Sequence, residues 1–197
     1  MPNQPSGFLF VVFDGFSNMV LASAIEPLRV ARDLSADPSY PGAWQRWTER
    51  PPVSSSSGLA LYPDCALSDS KAYDALFIIC GYGARRYAES EIPGKFRRAA
   101  RKARIVGGLD TGAWLMAAMG LLDGYRATIH WQELAHFAEA FDKVDVRPER
   151  FVIDRDRITA GGASTVMNLM LELIRKEGGE ALAFDVSNMF VYDVESN

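Results

Sequence analysis

The stretch Gly107-Gly108-Leu109-Asp110-Thr111-Gly112 places a carboxylate between two glycines at the spacing Gly-x-Asp-x-Gly. That spacing suits a nucleophile elbow. In an elbow a strand enters a helix through a turn so tight that only glycine fits on either side, and the central side chain is held up at the end of the sheet. Such elbows usually carry Ser or Cys. An Asp opens three chemistries. Directly before a helix, Asp110 is a favoured N-cap whose charge meets the positive end of the dipole. Facing a pocket, it serves as counter-ion to a cationic ligand, because a buried carboxylate without a partner costs several kcal/mol. As a nucleophile it forms an ester intermediate and needs a base to activate water. The only histidines are His130 and His136. The bland reading of His136, inside an expected helix, is a partly exposed polar residue.

Other side chains near the expected strand ends extend the chemistry. Phe16, Tyr82, Trp114 and Trp131 are aromatic, and aromatic faces attract cations by roughly 0.5–2 kcal/mol each. Beside one carboxylate they would suit a quaternary ammonium, which has charge but no hydrogen-bond donor. The competing reading is core packing, the commoner fate of aromatics on amphipathic helices. Gly81 and Gly83 either expose backbone N–H groups to a ligand carboxylate or form a plain turn that needs positive φ. Cys65 and Cys80 show no metal-type spacing, and two thiols make a poor disulfide framework. Cys80 reads as a small buried hydrophobe. Neither a metal nor a cofactor is expected.

These groups need a frame. Apolar runs at Phe8–Phe13, Ala75–Cys80 and Arg104–Leu109 read as strands buried on both faces. Trp44–Thr48 reads as a short strand, Ser54–Gly58 as a loop, and Phe151–Asp154 with Arg157–Ala160 as a hairpin or two short strands. Helical spacing covers Val20–Leu34 (with Pro27 inside), Ile92–Ala103, Thr111–Met119, Gln132–Phe141, Ala163–Arg175 and Glu180–Phe190. Alternating strands and helices predict a largely parallel sheet covered on both faces, with ligands at the carboxyl ends of the strands. The length of 197 residues suits one domain. The composition, 48% hydrophobic and 23% charged, is that of an ordinary globular protein. With 25 acidic against 21 basic side chains the net charge is −4, which argues against this segment gripping a phosphate backbone. Lys95, Arg97, Arg98, Arg101, Lys102 and Arg104 read as a solvated helix face. The amino terminus lacks the basic region of a signal peptide, and no apolar run reaches membrane-spanning length, so a cytoplasmic protein without membrane contact is expected.

Four segments together carry a family resemblance: FDGFSNMVLASAIEPLRVAR (13 to 32), YDALFIICGYG (73 to 83), GLDTGAWLMAAMGLLDGYRATIHW (108 to 131) and FVIDRDRITAGGASTVMNLMLELI (151 to 174). They resemble the class I glutamine amidotransferase-like superfamily, in its intracellular-protease and isonitrile-hydratase branch. Within it they are most similar to the amidase-like N-terminal domain of AraC-type transcriptional regulators. The resemblance implies a flavodoxin-like, doubly wound sheet, a homodimer, and a small-molecule effector. It also implies DNA binding only through a C-terminal helix-turn-helix domain, which is not expected in this chain. Enzymes of the superfamily place Cys where this chain has Asp110, and an acid at the position reckoned to fall on Val20. The expectation is therefore a non-catalytic sensing domain; the alternative is a small hydrolase or hydratase using Asp110. The expected ligand is cationic or zwitterionic, of betaine or carnitine type, held by Asp110, Thr111, Trp114, Trp131, His130, Tyr82, Gly81, Gly83 and Phe16.

Overall fold

The computed structural model describes residues 7–36, 44–48, 51–64, 73–89 and 94–192. Along the chain run β1 (Phe8–Val12), α1 (Asn18–Leu34), β2 (Trp44–Trp47), β3 (Val53–Ser54), β4 (Ala60–Leu61), β5 (Ala75–Cys80), α2 (Ala84–Glu89), α3 (Gly94–Lys102), β6 (Ile105–Asp110) and α4 (Ala113–Ala118). Then follow β7 (Arg126–Ala127), a 3-10 turn (Trp131–Glu133), α5 (Leu134–Ala140), β8 (Asp145–Val146), β9 (Phe151–Asp154), β10 (Arg157–Ala160) and α6 (Ala163–Met189). Six strands form one sheet in the order β2-β1-β5-β6-β10-β9. All neighbours are parallel except the β9–β10 hairpin.

Strand alternation divides the core into two layers. Phe8, Phe10 and Val12 of β1 join Phe77 and Ile79 of β5 under α1 and α6. Leu9 and Val11 join Leu76, Ile78 and Val106 under α3, α4 and α5, where Phe96, Leu115 and Phe137 fill the layer. A sheet covered on both faces explains why its central strands read as unbroken apolar runs. The doubly wound, mostly parallel sheet expected from the sequence is what forms.

Several boundaries differ from the expectations. Ser17 caps α1 by accepting from the Val20 N–H, so the helix begins at Asn18. Gly179, at φ 88°, divides the last helix where two were expected. The segment expected to be helical from Gln132 begins instead with the 3-10 turn. The Ser54–Gly58 loop turns between β3 and β4, which pair with each other. Cys65, residues 37–43, and residues 92 and 93 of an expected helix lie outside the described residues. Among the described residues no helix is long and apolar enough to cross a membrane.

Candidate functional site

The parallel strands deliver three turns to one end of the sheet. At the end of β6 the elbow is built as its glycines require. Asp110 takes φ 61°, in the left-handed region, which few non-glycine residues adopt and which Asp tolerates better than most. A Cβ on Gly112 would lie 2.2 Å from the Ile78 carbonyl oxygen, and one on Gly108 would lie 2.7 Å from the Ala113 nitrogen. The Thr111 hydroxyl donates to the Gly81 carbonyl at 2.7 Å, and the His130 N–H donates to the Asp110 carbonyl at 3.2 Å.

The turns after β1 and β5 lock together beside it. The Tyr82 N–H donates to the Gly15 carbonyl at 3.2 Å, so that N–H is not free for a ligand. Gly81 is required by close approach, since a Cβ there would lie 2.3 Å from the Gly15 oxygen; Gly83 is required by its φ of 86°. The β3–β4 loop is strapped over the same turn. The Gly15 N–H donates to the Ser54 carbonyl at 2.7 Å and the Ser56 N–H to the Phe16 carbonyl at 2.8 Å.

Between these turns opens a cleft of about 390 Å³. Asp110 and Thr111 line it, with Ser17 and Ser56 from the β1 side, Gly81 to Arg85 from the turn into α2, and His130, Gln132 and Glu133 from the 3-10 turn. Asp110 is 9% exposed, and its carboxylate has no hydrogen-bond or ion-pair partner among the described residues. Burial pushes its carboxyl up to about 7. Asp110 is not the N-cap expected from the sequence. The helix starts three residues later, at Ala113, and Gly112 occupies its cap position without a side-chain bond. Cys80, paired with Asp110 across β5 and β6, is fully buried, and desolvation pushes its thiol up to about 12. It is an unreactive core group.

The expected aromatic box does not assemble. Tyr82 alone of the four lines the cleft, and it is 79% exposed. Phe16 is buried in the layer beneath α1 and α6. Trp114 is buried edge-on against Phe137 and Phe141, because its helical face turns into the core. Trp131 is 75% exposed, beside His130 but outside the cleft. His130 lines the cleft, and its Nδ1 accepts from the Gln132 N–H at 3.4 Å. His136 is exposed on α5, as expected. Val20 is buried in the α1 core.

The sequence reading missed a charged cluster that also lines the cleft. Arg85 Nε and Nη2 both donate to Glu133 Oε2, at 2.9 and 2.7 Å. Trp114 Nε1 donates to the same oxygen at 3.2 Å, and the Arg85 guanidinium lies 5.1 Å from the centroid of the Trp114 ring. The usable signal was an Arg two residues after Gly83, at a strand-end turn already marked as a ligand position. Among the described residues no group of His, Cys, Asp and Glu is placed to hold a metal ion.

Comparison with known proteins bears on the family and the fold. The chain is 37% identical over 194 residues to the HTH-type transcriptional regulator GbdR of Pseudomonas aeruginosa, covering 96% of this chain and 52% of that protein. It is 38% identical over 188 residues to the HTH-type transcriptional regulator CdhR of the same organism, covering 93% and 54%. The chain thus spans about half the length of these curated relatives. The crystal structure of an AraC family transcriptional regulator from Pseudomonas putida superposes with a TM-score of 0.77 at 28% identity, covering 94% of this chain and all of that one. Residues 8–176 match the model of the DJ-1/PfpI family, and with the elbow at Asp110 set in this doubly wound sheet, the chain belongs to that family.

Proposed function

We propose that this chain is the effector-sensing part of an AraC-type transcriptional regulator. It binds a small cationic or zwitterionic metabolite, a betaine or carnitine-like quaternary amine, in the cleft above Asp110, and it does not use that cleft for catalysis. DNA contact belongs to a helix-turn-helix domain of the kind the relatives' names denote, and the sensing unit acts as a homodimer. One observation carries the ligand reading: a buried carboxylate stands in the cleft with no counter-ion. A ligand cation supplies the missing charge. A simple anion would meet Asp110 unfavourably.

Calorimetric titration with glycine betaine, carnitine, choline and dimethylglycine tests the reading. At least one should bind, and Asp110→Asn should weaken it about tenfold or more. The sign of the pH dependence follows from Asp110. Its carboxyl titrates near 7 in the free protein, and a bound cation favours the ionised form. Affinity should therefore be constant above about pH 8, fall about tenfold per unit below 7, and binding near neutrality should release a proton. Binding only to uncharged or anionic metabolites would sink the reading.

A carboxyl titrating near 7 in a cleft that His130 also lines suits a general acid or base, which keeps a small hydrolase or hydratase as the second reading. Turnover abolished by Asp110→Ala would favour it.

A further inference from the structure

The Arg85–Glu133 pair is more than a wall of the cleft. A guanidinium has two edges that can grip a carboxylate: the side edge, Nε with Nη2, and the end edge, Nη1 with Nη2. Arg85 gives its side edge to a single oxygen of Glu133. No acceptor among the described residues meets Nη1, so the end edge is open in a residue that lines the cleft. The arginine is nonetheless held: Glu133 takes one edge, and the guanidinium carbon lies over the Trp114 ring, 5.1 Å from its centroid. Glu133 is itself committed, because its Oε2 takes donors from Arg85 and Trp114. The cleft thus has two unfilled poles of opposite sign, the Asp110 carboxylate and the Arg85 end edge.

We infer that Arg85 is the carboxylate receptor of the cleft, so that the ligand class is a zwitterion with a cationic group at Asp110 and a carboxylate on Arg85, rather than a plain amine. This rests on the cation reading of Asp110 and adds the second pole. A lone ammonium would leave Arg85 half-filled, and a lone carboxylate would face Asp110. Only a molecule carrying both charges satisfies both poles. Arg85 is a specificity-determining residue on this assignment, and a lysine cannot replace it, having no second edge to offer.

Glycine betaine and choline separate the two poles, since they share a trimethylammonium and differ in the carboxylate; carnitine serves as a longer zwitterion. Titration of the whole chain should give a zwitterion bound at least tenfold more tightly than choline. Arg85→Ala should bring the zwitterion down to the affinity of choline while leaving choline within about twofold. Arg85→Lys, which keeps the charge, should recover only part of the loss, and Asp110→Asn should weaken all three probes. If choline binds as tightly as the zwitterions, or if Arg85→Ala lowers both alike, the Arg85 assignment is wrong while an Asp110→Asn effect still supports the cation reading. If none binds to protein of native circular dichroism, or if Asp110→Asn changes nothing, both assignments fall.

Discussion

Two aspartates at opposite ends of the sheet show what the cleft has given up. At the β9–β10 turn Asp154 accepts from the Arg126 N–H at 2.8 Å and from Arg155 Nε at 3.2 Å. Those donors, the backbone N–H first, hold its carboxyl below the usual range. Its neighbour Asp156 accepts from the Tyr125 hydroxyl at 3.0 Å and pairs with Arg157 at 2.8 Å. Asp110 has none of this, and burial pushes its carboxyl the other way. The same side chain is thus a finished structural element at one end and an unsatisfied group at the other. Stability favours the first arrangement; a group left unpaired in a cleft is consistent with a site shaped for something else to complete it.

The contrast is open to direct attack. The largest effect should come from Asp110→Asn. A carboxyl raised from 3.8 to about 7 favours the folded state fully below pH 3.8, and that advantage disappears as pH rises through 7. The wild type is therefore penalised at pH 8, by up to about 4 kcal/mol for a shift of this size. Urea unfolding of Asp110→Asn should show it more stable than wild type at pH 8, with the gap closing toward pH 4; a gap independent of pH would mean Asp110 is not the buried acid described here. Next is Gly112→Ala. Gly112 has helical backbone angles (φ −60°), so alanine would otherwise be welcome, but its Cβ meets the Ile78 carbonyl. A loss of about 1–3 kcal/mol in the same unfolding experiment is expected. Smallest is Asp154→Ala, which should lower the melting temperature slightly at neutral pH. The effect should vanish in acid, as pH falls through the depressed titration of that carboxyl, where the wild type loses the same interaction.

Much of this frame was legible because the determinants are local. The apolar runs of β1, β5 and β6 and the Gly-x-Asp-x-Gly spacing are contiguous, and a sheet buried on both faces leaves that signature. The site was less legible because facing is not local. Trp114 was expected to hold the ligand beside Asp110, yet its ring packs inward against Phe137 and Phe141. Trp131 adjoins the cleft-lining His130, but the short 3-10 turn points it to solvent. Phe16 follows the Asp14-Gly15 turn and still packs into the core. Arg85 went unread because α2 spans only six residues, too few for a hydrophobic period to show, and because its partner Glu133 lies 48 positions away. The β3–β4 hairpin escaped for a similar reason: its strands have two residues each, amid a run of serines.

The single oxygen of Glu133 has a mechanical consequence. Through Arg85 and Trp114 it fastens α2 and α4 to the turn that leads into α5. Three hydrogen bonds converging on one atom act as a common pivot: a displacement of any of the three segments beyond a few tenths of an ångström must stretch a bond to another or carry it along. The wall of the cleft is therefore braced as a truss, and a load applied at Arg85 is shared between the elbow helix and α5.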